Sequence, residues 1–139
     1  MKKRILSFLL SGLFIVLLST SIYAAQIPSA NPLWDNLKGL TATLTFNRST
    51  GNVTVVVTGK TNVTNITATV DLYYKASNGS WVKVENDWSY NVNQKSLVIL
   101  ESFNATPGRE YKIVVEGTVT MAGYVEDFSK TTISTCPSA

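Results

Sequence analysis

Two pairs of carboxylates are the first feature of this 139-residue chain that could do chemistry. Glu85 lies two residues before Asp87, and Glu126 directly precedes Asp127. Paired carboxylates can act as acid and base in glycoside hydrolysis, and their oxygens can bind Ca²⁺. The chain has no glycine-containing acidic loop of the EF-hand type, and a domain of this size seldom has a catalytic cleft. We therefore interpret both pairs as solvated turn residues and expect neither a metal nor a cofactor.

Histidine is absent and cysteine occurs once, which narrows the possible chemistry further. Without histidine the chain cannot form a His-based triad, most zinc and copper sites, or the usual general base at neutral pH. Cys136 lies close to the C-terminus and has no second cysteine to pair with. We predict an unpaired thiol in the tail, with a link between two chains as the alternative.

Aromatic residues are more numerous than the core of one small domain requires. Tyr73 is predicted on the strand face opposite Tyr74, while Trp88 and Tyr90 lie in a segment rich in Asn and Ser. Exposed flat rings can stack on sugars or anchor a protein partner. The surplus rings are those of Trp34, Tyr73, Trp81, Trp88, Tyr90 and Tyr124. We predict Trp88, Tyr90 and Tyr124 as ligand-binding residues; the alternative is that these rings cover a sheet face or plug the ends of the fold.

The first 24 residues have the pattern of a cleavable secretory signal peptide. Lys2, Lys3 and Arg4 precede an apolar run, residues 5–18, and small residues follow as far as Ala25. An uncleaved anchor is the alternative, because the apolar stretch approaches the ~20 residues that span a bilayer. We expect membrane contact only through this segment before cleavage, and a secreted, extracellular or envelope-associated protein.

The basic character of the chain belongs to this leader. It holds three of the twelve basic residues, so nine basic and nine acidic residues remain after it, a net charge of zero. No cluster of Lys and Arg follows Arg4. Binding to a phosphate backbone requires such a cluster, so nucleic acid is not an expected partner.

Residues 25–39 are predicted to be an N-terminal linker, and residues 40–139 a β-domain. Apolar and polar side chains alternate in about seven short segments separated by turn residues, with no helical period. The longest alternation covers residues 66–75, and Asn78-Gly79 after it predicts a hairpin with a primed turn. A polar turn is expected at Glu85–Asn86, before a segment at 88–92 that is a strand or an ordered loop.

The run Leu97 to Phe103 has an ambiguous alternation. If Leu97, Ile99 and Phe103 all point inward, so does the charged Glu101. A lone buried carboxylate would cost several kcal/mol. We therefore predict a bulge or bend near Ser102.

The stretch from Phe103 to Val115 has the pattern of a corner between two strands. Pro107-Gly108 turns the chain, and Tyr111 opens a strand that continues with alternating aliphatic residues. This stretch resembles the corner before the penultimate strand of fibronectin type III and related immunoglobulin-like domains. The resemblance implies a single immunoglobulin-like β-sandwich of about seven antiparallel strands, in which Tyr111 hydrogen-bonds back across the corner.

Three functions are compatible with these features. The preferred one is a non-catalytic binding or adhesion module for a protein or glycan at the cell surface. The second is a structural protein that self-associates through edge strands, such as Val53–Val57 or the threonine-rich C-terminal strand. A small hydrolase is the third and weakest, and the oligomeric state stays open. We expect the corner at Pro107, Gly108 and Tyr111 to serve the fold rather than binding.

Overall fold

The computed structural model describes residues 34–138, except for the side chains of residues 85–87. The predicted signal peptide, residues 1–24, and most of the predicted linker lie outside the described residues. The described part contains seven strands and no helix that could cross a membrane. The strands are β1 (Leu37–Asn47), β2 (Thr50–Gly59), β3 (Val63–Lys75), β4 (Trp81–Val92), β5 (Ser96–Asn104), β6 (Glu110–Met121) and β7 (Tyr124–Thr135).

The strands form two antiparallel sheets around one core, which confirms the predicted all-β, two-sheet architecture. One sheet has the order β1-β2-β5 and the other the order β4-β3-β6-β7. The inward-facing residues alternate with outward-facing ones along each strand, as the period of two requires. Fully buried members of the core include Val55, Val57, Ile66, Val70, Leu72, Ile113 and Val115. Their branched side chains suit a pleated surface that is covered on its inner face.

Strand β2 lies between β1 and β5, so its predicted role as an edge strand is wrong. Val53, Val55 and Val57 point into the core and are at most 1% exposed. The valines at 53, 55 and 57 are explained by burial of the strand's inner face, where β-branched side chains pack well.

Strand β4 is continuous, so the predicted turn at Glu85–Asn86 is wrong. The pairing of β3 with β4 changes register between Asp71↔Asp87 and Tyr73↔Lys83, where β3 has one residue and β4 has three. A bulge of this kind absorbs the break in alternation without ending the strand.

The hairpin at Asn78-Gly79 forms, but with a different turn from the one predicted. Gly79 has a positive φ of 84°, whereas Asn78 does not. Ala76 N–H donates to Ser80 O at 2.8 Å, and Gly79 N–H donates to Ala76 O at 2.9 Å. This is a three-residue loop that closes with a left-handed glycine, the next most common hairpin geometry.

A pair of left-handed residues occurs instead between β6 and β7. Ala122 and Gly123 have φ values of 50° and 81°, and Met121 pairs with Tyr124 across them. Two positive φ values in a two-residue loop are the signature of a type I′ turn. The left-handed conformation is strained at Ala122, because it carries a Cβ.

The corner between β5 and β6 is held by backbone hydrogen bonds and by one tyrosine. Arg109 N–H donates to Thr106 O at 3.2 Å, and Gly108 has a φ of 76°, as proline followed by glycine in a type II turn requires. The buried Tyr111 accepts the N–H of Thr106 on its hydroxyl oxygen at 2.8 Å. The Tyr111 side chain therefore bridges the corner between the two sheets.

Cys136 is a core residue rather than a tail thiol. It is 0% exposed, and its Sγ donates to Arg48 O at 3.2 Å. Its backbone N–H donates to Arg109 O, and its carbonyl accepts the N–H of Gly108, both at 2.9 Å. Cys136 thus ties the end of β7 to the corner, and a disulfide to another chain would require this end of the sandwich to open.

Candidate ligand-binding cleft

The two lateral sides of the sandwich differ in how they are closed. On one side β7 contacts β1: Thr132 Oγ1 donates to Ala42 O at 2.9 Å and Lys130 Nζ to Leu40 O at 3.4 Å. On the other side the edge strands β4 and β5 face each other. Among the described side chains, Tyr90 and Glu101 form the hydrogen bond that crosses this side. This open side is where a ligand could enter between the sheets.

Glu101 points inward without a bulge, so the bend predicted near Ser102 is wrong. The register of β2 with β5 runs unbroken from Thr50↔Asn104 to Thr58↔Ser96. The carboxylate is neither alone nor fully buried, because Tyr90 Oη donates to Glu101 Oε1 and the residue keeps partial contact with solvent. The predicted cost of a lone buried charge therefore does not arise.

The same hydrogen bond perturbs the phenol. Donation to the Glu101 carboxylate, together with burial and the negative charge of that carboxylate, raises the pKa of Tyr90 to about 12. A hydrogen bond to the protonated form disfavours ionisation. Tyr90 therefore stays neutral and keeps donating over the whole physiological range of pH.

A cleft of about 530 Å³ lies at the corner end of the open side. Its volume is within the range of small-ligand sites. Its inner lining is formed by buried and half-buried rings and a valine: Tyr74, Val84, Phe103 and Tyr111. Its outer lining is polar and exposed: Thr50, Ser102, Asn104, Thr106 and Arg109. The cleft therefore combines flat apolar surfaces with convergent hydroxyl, amide and guanidinium groups.

Three packed rings hold the inner wall in place. The ring centroid of Phe103 is 5.1 Å from that of Tyr111 and 6.3 Å from that of Phe46. Gly51, which pairs with Phe103 across the sheet, makes room for this ring, since a Cβ there would lie 2.2 Å from it. The ring positions therefore depend on a glycine at residue 51.

Arg109 supplies the positive charge of the cleft. Its guanidinium lies 4.7 Å from the centroid of the Tyr74 ring, a cation–π contact. In the part of the chain that the structure describes, the ion pairs are Lys75–Glu110 and Lys83–Asp71, and neither involves Arg109. Its planar group is free to form a fork with a carboxylate, sulfate or phosphate. The contact with the Tyr74 ring places the guanidinium at the exposed, outer part of the cleft.

The three predicted ligand-binding residues are not brought together. Trp88 and Tyr90 are half-buried on β4 and pack against the core, whereas Tyr124 on β7 is 59% exposed. Strands β4 and β7 are opposite edges of one sheet, three strand spacings or about 14 Å apart. Trp88 instead fits the alternative, in which rings cover the inner sheet face.

A second aromatic surface lies on the outer face of the four-stranded sheet. Lys112 Nζ lies 4.5 Å from the Tyr73 ring centroid and 4.8 Å from that of Trp81, and Lys75 lies 5.6 Å from Trp81. Lys75 also forms an ion pair with Glu110 at 2.7 Å. Cations already cover these rings, and none of the five residues lines the 530 Å³ cleft.

Of the two carboxylate pairs, the structure describes the side chains of Glu126 and Asp127. Glu126 accepts the N–H groups of Asp35, Asn36 and Leu37 at 2.9, 2.6 and 3.0 Å, so it is not the solvated turn residue we expected. It fixes the start of β1 to β7. The neighbouring Asp127 is exposed, and the side chains of Glu85 and Asp87 lie outside the described residues. Among the side chains that the structure describes, no three of His, Cys, Asp or Glu come close enough to hold a metal.

The sequence did not single out the main residues of the cleft. Tyr74 and Arg109 are 35 positions apart along the chain, and only the pairing of β3 with β6 brings Tyr74 opposite Tyr111, close to the turn. One signal was available: Arg109 directly follows Pro107-Gly108, as the last residue of the turn at a corner that was already identified. In the structure Arg109 and the corner tyrosine, Tyr111, line the same cleft.

Comparison with known proteins adds little. No protein-family model matches the chain, and no curated protein is similar to it in sequence. Among solved structures, a β-glucuronidase of Parabacteroides merdae is similar to it, with a TM-score of 0.40 and 12% identity. The match covers 74% of this chain and 13% of the β-glucuronidase, so the chain spans about one eighth of that enzyme. This degree of similarity carries no argument about activity.

Proposed function

We propose that this protein is a secreted or envelope-associated immunoglobulin-like binding module that holds a glycan in the cleft beside Arg109. The observation that carries the proposal is the composition of that cleft. It places aromatic rings next to hydroxyl and amide groups and one guanidinium without an ion pair in the described residues. The basic, apolar leader supports export.

The strand order supports an immunoglobulin-like domain of the fibronectin type III kind. Sheets with the orders β1-β2-β5 and β4-β3-β6-β7 are compatible with such a sandwich. The hydrogen bond from Thr106 N–H to Tyr111 Oη resembles the bond by which that family's corner tyrosine spans the corner. A fold of this kind hosts many functions, so the ligand has to be argued from the cleft.

The chemistry of the cleft favours an acidic sugar over an apolar ligand. The hydroxyl groups of Thr50, Ser102 and Thr106 and the amide of Asn104 can each donate to and accept from sugar hydroxyls. Rings such as Phe103 offer apolar faces for the C–H groups of a pyranose. Arg109 adds a preference for a ligand that carries a carboxylate or sulfate.

Calorimetric titration with pairs of short oligosaccharides, identical except for a carboxylate on one sugar, tests this proposal. The wild type should bind the carboxylated member of a pair more tightly. Arg109→Ala should lose about tenfold in affinity for that member, as expected for a charge-assisted hydrogen bond, and should no longer distinguish the two.

Lys112→Ala is the matched control, because Lys112 is also a cation stacked on a tyrosine but lies on the outer sheet face. It should leave both affinities unchanged. Failure of every acidic glycan to bind would refute the glycan assignment. Loss of binding in Lys112→Ala, with Arg109→Ala unaffected, would move the site to the outer face.

Self-association through an edge strand is the second candidate function. It is favoured by one specific observation, the free edge of β5.

A further inference from the structure

The free edge of β5 differs from the other three sheet edges. The edge of β1 is covered by side chains of β7, which donate to the carbonyls of Leu40 and Ala42. Strand β4 contains the bulge described above, and β7 carries Glu126, Asp127 and Lys130. Strand β5 reads Ser-Leu-Val-Ile-Leu-Glu-Ser-Phe-Asn, with no proline, no glycine and one charge. It therefore lacks most of the devices that keep edge strands from pairing.

The hydrogen-bonding direction of β5 follows from one bond at its start. Gly59 N–H donates to Lys95 O at 2.8 Å, so Lys95 directs its backbone polar groups towards β2. In an antiparallel ladder without register shifts, alternate residues direct both groups to the same side. Ser96, Val98 and Leu100 therefore direct their N–H and C=O groups towards the free edge.

The sequence of β5 is complementary to itself in one antiparallel register. With Val98 opposite Val98 of a second copy, Ser96 lies opposite Leu100, and these positions supply six backbone hydrogen bonds. The same register places Lys95 of one copy opposite Glu101 of the other, at both ends of the junction. Such positions are close pairs without backbone bonds, where side chains approach most nearly. The bond from Tyr90 uses Glu101 Oε1, so Oε2 can accept from the incoming lysine.

We propose that two copies of this chain pair through β5 about a twofold axis at Val98, forming a continuous six-stranded sheet. Exposed apolar side chains support this arrangement. Val98 is 56% exposed and Leu100 is 70% exposed, and both lie on the outer face of the strand beside Val56 and Thr54. In the dimer each would gain a cross-strand neighbour from the other copy.

This dimer does not depend on ligand binding in the cleft. The hydrogen-bonded segment ends at Glu101; in the same register Gln94 of the second copy lies opposite Ser102, so the dimer borders the cleft but its hydrogen bonds do not use the cleft's side chains. A failure of the dimer would leave the glycan proposal intact, and a failure of glycan binding would leave the dimer intact.

Sedimentation equilibrium of the purified protein tests the association, and two charge reversals test the register. The wild type should show a monomer–dimer equilibrium. Lys95→Glu places like charges opposite each other at two positions, so it should weaken association about tenfold or more. Lys38→Glu makes the same charge change on an exposed residue of β1 and should have no effect.

Crosslinking with a short bismaleimide locates the contact. Val98→Cys and Val125→Cys introduce thiols at valines of similar exposure, 56% and 53%, on two different edge strands. Val98→Cys should crosslink to itself, whereas Val125→Cys should not; Cys136 is buried and common to both. A monomer at all concentrations, equal weakening by the two lysine variants, or preferential crosslinking at residue 125 would each overturn the proposal.

Discussion

Replacing Tyr111 by Phe removes a single atom from the corner between β5 and β6. The lost oxygen accepts the N–H of Thr106 at 2.8 Å. The ring itself should stay, because it is 3% exposed and packs against Phe46 and Phe103, with centroid distances of 5.7 and 5.1 Å. The substitution therefore separates the hydrogen bond from the packing.

The expected loss in the free energy of unfolding is about 1 kcal/mol, the net value of one intramolecular hydrogen bond. It should not reach the full cost of a buried, unsatisfied donor, because the bond is only part-buried and Thr106 is exposed. For a domain of this size, about 1 kcal/mol lowers the melting temperature by roughly 4–8 °C. Tyr111→Ala also loses the ring and should cost about 3–5 kcal/mol.

Urea unfolding followed by tryptophan fluorescence measures this loss as a lower midpoint with an unchanged slope. Tyr124→Phe is the control, because Tyr124 is 59% exposed and should give no shift. If the two tyrosine variants had the same midpoint, the proposed role of the corner hydrogen bond would be wrong.

Three further predictions concern the open side, the start of β1 and the last turn. The pKa of Tyr90 is about 12 in the folded protein and 10.0 ordinarily. The stability advantage of wild type over Tyr90→Phe should therefore be full below pH 10 and lost between pH 10 and 12. Urea midpoints measured across that range would show this loss. Glu126→Gln should lose about 2 kcal/mol and speed amide exchange at residues 35–37, since a neutral amide accepts fewer of those N–H groups; Asp127→Asn should match wild type. Ala122→Asn should raise the stability by about 1 kcal/mol, because asparagine tolerates a φ of 50°, and an unchanged melting temperature would contradict the strain.

The sequence predicts the sheets well because the period of two is a local signal. A strand can be recognised from the apolar face of its own segment alone, without knowledge of its partners. The predicted segments appear as strands in two antiparallel sheets. Errors arise where an interruption in the pattern has more than one structural solution. The polar residues at 85–86 are as compatible with a bulge as with a turn, and the choice depends on β3, the strand that pairs with them.

Glu101 shows why partners across the sandwich cannot be predicted from one strand. Its side chain points inward with those of Leu97 and Ile99, as the alternation indicates. A bulge would be needed only if no hydrogen-bond donor lay beside the carboxylate. Tyr90 meets it from the other sheet, eleven residues away in sequence. Likewise, Trp88 and Tyr124 could be grouped as exposed rings from the sequence, but only the strand order places them on strands at opposite edges of one sheet.

The corner and the cleft share residues but depend on different atoms of them. Arg109 is the last residue of the Pro-Gly turn, so the backbone that closes the corner also fixes the point from which the Arg109 side chain extends. Its side chain is exposed, and removing it should change stability little while weakening the proposed binding. Tyr111→Phe should have the opposite effects on stability and binding. The hydroxyl that it removes stabilises the corner, whereas the buried ring that lines the cleft is kept. Arg109→Ala should therefore lose affinity at nearly constant stability, and Tyr111→Phe should lose stability at nearly constant affinity. If both variants lost both properties together, the cleft could not be treated as a site separate from the corner that supports it.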